Sequence, residues 1–255
     1  MLNLEKCGRP LVRIVGNKQL NNKIVSVCTD DDNQITKRFN NLNLPSEAKA
    51  KFQHIPNTEA SREVLYICGP SGSGKSTYTR KYCQELQKQN KSIDIYLISP
   101  FTEDESLDEI KPKRIKLDKS LVEDPIDCKE LGECAIIFDD IDSIKEKDIK
   151  KAVQALLSQC LEIGRHYKIT VIMTNHILCA GNDTKRILNE CHTITCFPHS
   201  GSKRTIKYLL EDYCGLNKAD VKLIKKQKTR WCTVYKNYPI VICTEESIWS
   251  PQDSD

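Results

Sequence analysis

Gly69, Pro70, Ser71, Gly72, Ser73, Gly74, Lys75, Ser76 and Thr77 follow one another in this chain and satisfy the spacing G-x-x-x-x-G-K-S/T. Three glycines let successive backbone N–H groups turn inward around phosphate oxygens, and a helix opening at Lys75 adds the positive end of its dipole. Lys75 is then placed to reach β- and γ-phosphates, and Ser76 offers a hydroxyl to Mg²⁺. The motif needs a strand before it and a helix after it. Val64–Cys68 is a continuous apolar run and a helical pattern follows over Lys75–Gln89, a context that a chance Gly/Ser-rich turn would lack. The chemistry implied is binding of ATP with Mg²⁺.

A second carboxylate site is needed for the metal. Residues 134–140 read as a central parallel strand buried on both faces that ends in two carboxylates, Asp139 and Asp140. Groups at the carboxyl ends of such strands meet the ligand. Asp139 is therefore expected in the Mg²⁺ shell and Asp140 as general base or water-orienting group; the competing reading is that the acidic pair caps the next helix, as Asp142 and Ser143 could. A third strand, residues 169–173, runs into Thr174, Asn175 and His176. From an adjacent strand Asn175 could bond the attacking water or a γ-phosphate oxygen, although Thr and Asn also suit an ordinary strand-ending turn.

These groups need a scaffold. From Val64 onward apolar runs alternate with helical patterns: helix Lys75–Gln89, strand 93–98, an acidic stretch 103–109, the Asp139 strand, helix 146–163, the Asn175 strand, helix 184–190 and strand 193–197. Strand-helix alternation predicts an α/β fold, the three-layer P-loop NTPase type with a mostly parallel central sheet. In the helix before residue 165, Ile149, Val153, Leu156, Leu157, Cys160 and Leu161 recur at three- and four-residue spacing and mark a core-facing side. Residues 1–60 read as a small β-rich segment, with a hairpin of 11–15 and 24–28, followed by a linker or packed loop over 40–61 that contains Pro45 and Pro56. Residues 61–200 form the nucleotide-binding core, and 201–255 an α+β extension packed on it, with helices 203–213 and 218–228 and a hairpin of 231–235 and 240–243.

At 255 residues and 39% hydrophobic, the chain suits one full core with small additions. No apolar run has the length of a membrane span, and the first residues lack a signal-peptide core, so cytosol or nucleus is expected. The 13 cysteines are dispersed without a C-x-x-C pair, and read as small buried hydrophobes in a reducing compartment. Cys191, His192, Cys196 and His199 have irregular spacing for zinc, and their segment alternates as a strand does.

Charge is polarised. Between Gly201 and Tyr238 ten Lys/Arg face three acids, a net of +7, while the whole chain is only +4. Lys222, Lys225, Lys226, Lys228 and Arg230 beside Trp231, Tyr235 and Tyr238 fit a phosphate-backbone binder with aromatics for base stacking. A solvated helix face with core aromatics is the other reading.

The phosphate loop, the Asp139-Asp140 strand end, Gly164-Arg165-His166-Tyr167 and Thr174-Asn175-His176 together resemble the FtsK/HerA class of P-loop motors. The likeness, over roughly residues 60–200, is strongest to DNA-packaging ATPases of large DNA viruses of the poxvirus type. It implies a homo-oligomeric ring that hydrolyses ATP and drives duplex DNA through a pore, in host cytoplasm or a viral factory, with a capsid or virion protein as a further partner. It also implies that Asn175 takes the place of a polar sensor, commonly glutamine, and that Arg165 acts in trans, with Arg186 and Arg204 as other candidates. Asp140 stands where that class often has Glu, and no large accessory domain for capsid docking is evident. A nucleotide or small-molecule kinase would use the same loop with an arginine-rich lid, for which 111–119 is the nearest segment and only mildly basic. A nucleotide-binding scaffold without turnover is the third alternative.

Overall fold

The computed structural model describes residues 1–16, 20–29, 37–45, 49–179 and 182–251, with backbone only at 182 and 183. Its frame is a ten-stranded sheet. Four neighbouring parallel strands form the centre: β6 (Val64–Cys68), β10 (Thr170–Asn175), β9 (Cys134–Asp139) and β7 (Asp94–Ile98). β11 (Thr193–Cys196) pairs parallel to the other side of β6, and the two-residue β8 (Lys113–Arg114) closes the far edge beyond β7. β6 and β9 are apolar apart from the Tyr66 hydroxyl and the terminal Asp139, and every residue in these two strands is buried. That is what a strand covered on both faces requires.

Alternate residues of the same strands feed two different cores. Val64, Tyr66 and Cys68 pack with Ile136, Phe138, Val171 and Met173 against α4 (Lys147–Glu162), α5 (Asn182–Glu190) and the C-terminal helices α6 (Lys203–Tyr208) and α7 (Lys218–Lys226). Leu65 and Ile67 pack with Ile137, Ile172 and Leu97 against α1 (Lys75–Gln89), through Tyr78, Tyr82, Cys83 and Leu86. The result is helix, sheet, helix. The six apolar positions read on α4 are its six buried residues, and truncating one such as Leu156 to Ala would cost about 2–5 kcal/mol.

Residues 201–251 continue this sheet as well as covering it. β12 (Cys232–Tyr235) pairs antiparallel to β11, β13 (Val241–Thr244) to β12, and β14 (Ser247–Trp249) to β13. The last edge is β4 (Asn41–Asn43), from the N-terminal region. A separate antiparallel sheet, in the order β1 (Leu2–Asn3), β3 (Ile24–Val27), β2 (Arg9–Val15), β5 (Lys51–His54), packs on Tyr235, Val241, Cys243 and Ile248 of the large sheet. The segment 40–61, read from sequence as a linker or packed loop, therefore contains two strands. β4 and β14 have three residues each, too short for a period, and exist because distant partners satisfy their backbone groups.

The N-terminal sheet is tied to the helix that carries the phosphate loop. His54 Nδ1 and the Tyr78 hydroxyl lie 2.8 Å apart, Tyr78 is 2.7 Å from Thr233 Oγ1, and Thr233 is 2.8 Å from Thr195 Oγ1. This buried polar chain joins β5, α1, β12 and β11. Arg13 of β2 adds an ion pair to Glu85 of α1 at 3.0 Å.

Candidate functional site

The loop from Gly69 to Gly74 links β6 to α1, and its backbone explains its glycines. Gly72 and Gly74 have φ of 73° and 112°, values that a side chain disfavours. Gly69 lies so near Ser73 Oγ and the Phe197 ring that a Cβ there would meet both at 2.8 Å. Pro70, Ser71 and Ser73 complete the turn, Ser73 N donating to Pro70 O at 3.2 Å. Lys75, Ser76 and Thr77 begin the helix.

The ends of β6, β10 and β9 converge on Lys75. Its Nζ donates to Gly69 O at 3.1 Å and to His176 Nδ1 at 3.1 Å, and lies 3.9 Å from Asp140 Oδ2. With Nδ1 accepting, His176 carries its proton on Nε2, which lies 2.9 Å from Asp140 Oδ2. His176 thus bridges the loop lysine and the second carboxylate. Asp140 adopts a left-handed backbone conformation, φ 45°, and is 6% exposed. Its Oδ1 is buried without a hydrogen-bond partner among the described residues. Burial pushes its carboxyl above the usual carboxylate range; Lys75 opposes this, Asp139 reinforces it, and His176 opposes it.

Asp139 is held differently. Thr174 Oγ1 donates to its Oδ1 at 2.6 Å and Ser99 Oγ to its Oδ2 at 2.9 Å. Ser76 Oγ donates to Asp104 Oδ2 at 3.0 Å, and Asp104 also caps the short helix α2 (Glu105–Asp108). Ser76, Asp139 and their partners Ser99, Asp104 and Thr174 all present oxygen atoms. That set suits a hard cation such as Mg²⁺ rather than a soft metal.

Asn175 ends β10 opposite Cys68, next to the loop, where its carbonyl accepts from Gly69 N at 3.0 Å. Among the described residues both polar atoms of its amide are buried without a hydrogen bond of good geometry, while the Tyr66 hydroxyl lies alongside. A buried amide left this way is costly unless something else satisfies it.

A model of the family described as "ATPase family associated with various cellular activities (AAA)" matches residues 65–198, just over half of the chain. The chain belongs to the AAA family of ATPases. It is 37% identical over 247 residues to the uncharacterised protein V3 of the Sputnik virophage, covering 96% of each chain. Among solved structures, this AAA protein is similar to the genome packaging NTPase B204 of Sulfolobus turreted icosahedral virus 2 in complex with AMPPCP. The TM-score is 0.51 at 16% identity, over 75% of this chain and 99% of that one. The cytoplasmic domain of the Type VII secretion ATPase EccC of Thermomonospora curvata gives a TM-score of 0.51 at 10% identity, over 89% of this chain and 31% of that one. At such identities the likeness is one of fold. The resemblance to viral packaging ATPases, read from the residues, thus meets a viral packaging NTPase among the structural neighbours.

The remaining sequence candidates lie apart from this centre. Arg165 is exposed in the turn between α4 and β10, at the end of β10 opposite Asn175; a strand rises about 3.3 Å per residue, so some 17 Å separate the two ends. Within one AAA chain Arg165 does not reach the loop. Arg186 pairs with Glu162, and Arg204 is exposed on α6. Lys222 and Lys226 are exposed on α7, Lys225 is half-buried and donates to Lys203 O at 3.5 Å, and Lys228 is exposed beyond the helix. Arg230 departs from this group and lies against Gly74. The aromatics do not form a stacking face with these cations: Tyr235 is 2% exposed and its hydroxyl donates to Leu11 O at 2.9 Å, Trp231 packs on Tyr78, and Tyr238 projects from the far end of β12.

Sequence reasoning missed the parts played by His176, Ser99 and Asp104. Ser99 immediately follows the carboxyl end of β7, beside β9, and the rule that ligands bind beyond those ends could have found it. The proximity of His176 to both Lys75 and Asp140 had no local signal. Among the described residues no three His, Cys, Asp or Glu side chains are grouped to hold a metal ion, and no helix is long and apolar enough to cross a membrane.

Proposed function

We propose that this AAA protein is a Mg²⁺-dependent ATPase that acts as a homo-oligomeric ring on duplex DNA, in the manner of a viral genome-packaging motor. The observation that carries the reading is the convergence at Lys75, whose ammonium faces Asp140 and His176 at the ends of the strands flanking the loop. The loop amides and Lys75 hold the β- and γ-phosphates. Ser76 and Asp139 hold Mg²⁺, which when bound neutralises charge on the phosphate oxygens. Asp140 orients the attacking water, and Asn175, whose amide is buried without good partners, bonds the γ-phosphate. Arg165 acts on a neighbouring subunit's nucleotide, which its exposure at the end of the sheet away from the loop permits.

DNA is assigned to Lys222, Lys225, Lys226 and Lys228, supported by the polarised charge and by the fold shared with the B204 packaging NTPase. Host cytoplasm or a viral factory is the expected setting, with a capsid or virion protein as a further partner. The test is ATP turnover with and without duplex DNA, together with a salt titration of DNA affinity. Reversing Lys225 and Lys226 to Glu should abolish DNA stimulation while leaving DNA-free turnover, and should lower the log-log salt slope by about 0.9 for each DNA phosphate no longer neutralised. A parent protein that binds no DNA at low salt refutes the motor reading. Faster consumption of ATP with a nucleoside acceptor than with water would identify a kinase instead.

A further inference from the structure

Arg230 sits at the phosphate loop, apart from the lysines of α7. A methyl group on Gly74 would come within 3.4 Å of Arg230 Nε, 3.7 Å of its Cζ and 3.5 Å of Phe197 Cε1. Guanidinium and ring therefore both lie against the residue that precedes Lys75. This placement is built into the fold. Trp231 meets Tyr78 of α1 edge-on with centroids 5.2 Å apart, Thr229 Oγ1 donates to Trp231 O at 2.7 Å and accepts from Glu245 N at 3.1 Å, and Arg230 N donates to Glu245 Oε2 at 2.7 Å. Glu245 Oε1 is taken by Lys51 at 3.0 Å. The segment is fastened to the loop's own helix, yet the guanidinium forms no ion pair among the described residues.

The loop has two flanks. On one, β9 and β10 bring Asp139, Asp140, Asn175 and His176, and Lys75 Nζ faces that way. On the other, the segments adjoining β11 and β12 bring Phe197 and Arg230. A triphosphate whose γ-phosphate meets the first flank directs its α-phosphate and nucleoside toward the second. A guanidinium there presents a planar fork of donors suited to phosphate oxygens.

We propose that Arg230 grips the α- and β-phosphates of bound nucleotide, beside the Phe197 ring, and is a nucleotide-binding residue rather than a DNA-binding one. The assignment rests on the phosphate-loop reading above. It concerns the part of the nucleotide that hydrolysis leaves intact, so ATP and ADP gain from it equally. Its loss is therefore a loss of uniform binding, visible in KM rather than in kcat.

The test is calorimetric titration of ADP and of a non-hydrolysable ATP analogue into the parent, Arg230→Ala, Arg230→Lys and Lys75→Ala proteins, with steady-state turnover alongside. Arg230→Ala should weaken both nucleotides by one common factor of about ten to a hundred, raise KM by that factor, and be partly rescued by Arg230→Lys. Arg230 is exposed, so the unfolding midpoint of the Ala variant should match the parent's. Unchanged ADP affinity in Arg230→Ala overturns the assignment, as does a lowered DNA salt slope with nucleotide affinity intact. Weakening confined to the triphosphate, with a fall in kcat, also overturns it by placing the guanidinium at the γ-phosphate. A parent that binds neither nucleotide, or a Lys75→Ala protein that binds both as the parent does, overturns the phosphate-loop reading and this assignment together.

Discussion

Replacing Asp140 with Asn separates charge from shape at the site. Asn tolerates the left-handed backbone that Asp140 adopts at φ 45°. Its amide oxygen can take the place of Oδ2, 2.9 Å from His176 Nε2, and its NH₂ falls where Oδ1 is now buried without a partner. What is lost is the negative charge 3.9 Å from Lys75 Nζ. At that separation the attraction is about 4 kcal/mol in a medium of effective dielectric near 20. Burial works against it, since it lifts the carboxyl above its usual range, and the two effects oppose each other. Stability should change by only about 1 kcal/mol, while a group that positions or deprotonates water is worth about 10²–10⁴ in rate. The expected pattern is kcat down at least a hundredfold and affinity for a non-hydrolysable ATP analogue retained or slightly raised, because Lys75 no longer faces a competing anion. Turnover, equilibrium binding and urea unfolding on one preparation measure all three. A kcat within threefold of the parent would refute the role given to Asp140.

Two further outcomes concern the joint between the N-terminal sheet and α1. Burial holds the His54 imidazole at about 3, against an ordinary 6.5, so the unfolded chain binds the extra proton between those values. Stability from this site is complete above pH 6.5 and is lost as pH falls, by about 1.4 kcal/mol per unit. His192, pushed to about 4 mainly by burial, acts in the same direction. Urea midpoints between pH 7.5 and 5 should fall more steeply for the parent than for His54→Gln, and equal slopes would contradict the account. Tyr78→Phe removes the hydroxyl between His54 and Thr233 and should cost about 1–3 kcal/mol, because His54 Nδ1 is then buried unpaired; a loss under about 0.5 kcal/mol would show that the chain of bonds is not holding the joint.

The core of the fold was legible in the sequence because its strands are long apolar runs and its helices carry a period. The helix Lys75–Gln89 begins and ends where residue pattern places it, and the 134–140 run forms a strand over Cys134–Asp139. The same local signals singled out the loop, Asp139, Asp140 and Asn175, which lie at the carboxyl ends of neighbouring strands. What stayed hidden depends on pairing between distant segments. β4 and β14 are short and pair across more than two hundred positions, and Arg230 reaches the loop only because β12 continues the core sheet. Charge counting placed Arg230 with Lys222, Lys225 and Lys226, since composition reports how many cations a segment carries and not which way each one faces.

Lys75 and its loop are proposed to make this chain an ATPase. The most direct test is the release of inorganic phosphate from ATP with Mg²⁺, by the parent and by Lys75→Ala, each shown to be folded by its unfolding transition. The parent should turn over ATP with Mg²⁺ and not without it, and Lys75→Ala should lose turnover without losing its fold. A folded Lys75→Ala protein that released phosphate at the parent rate would contradict it.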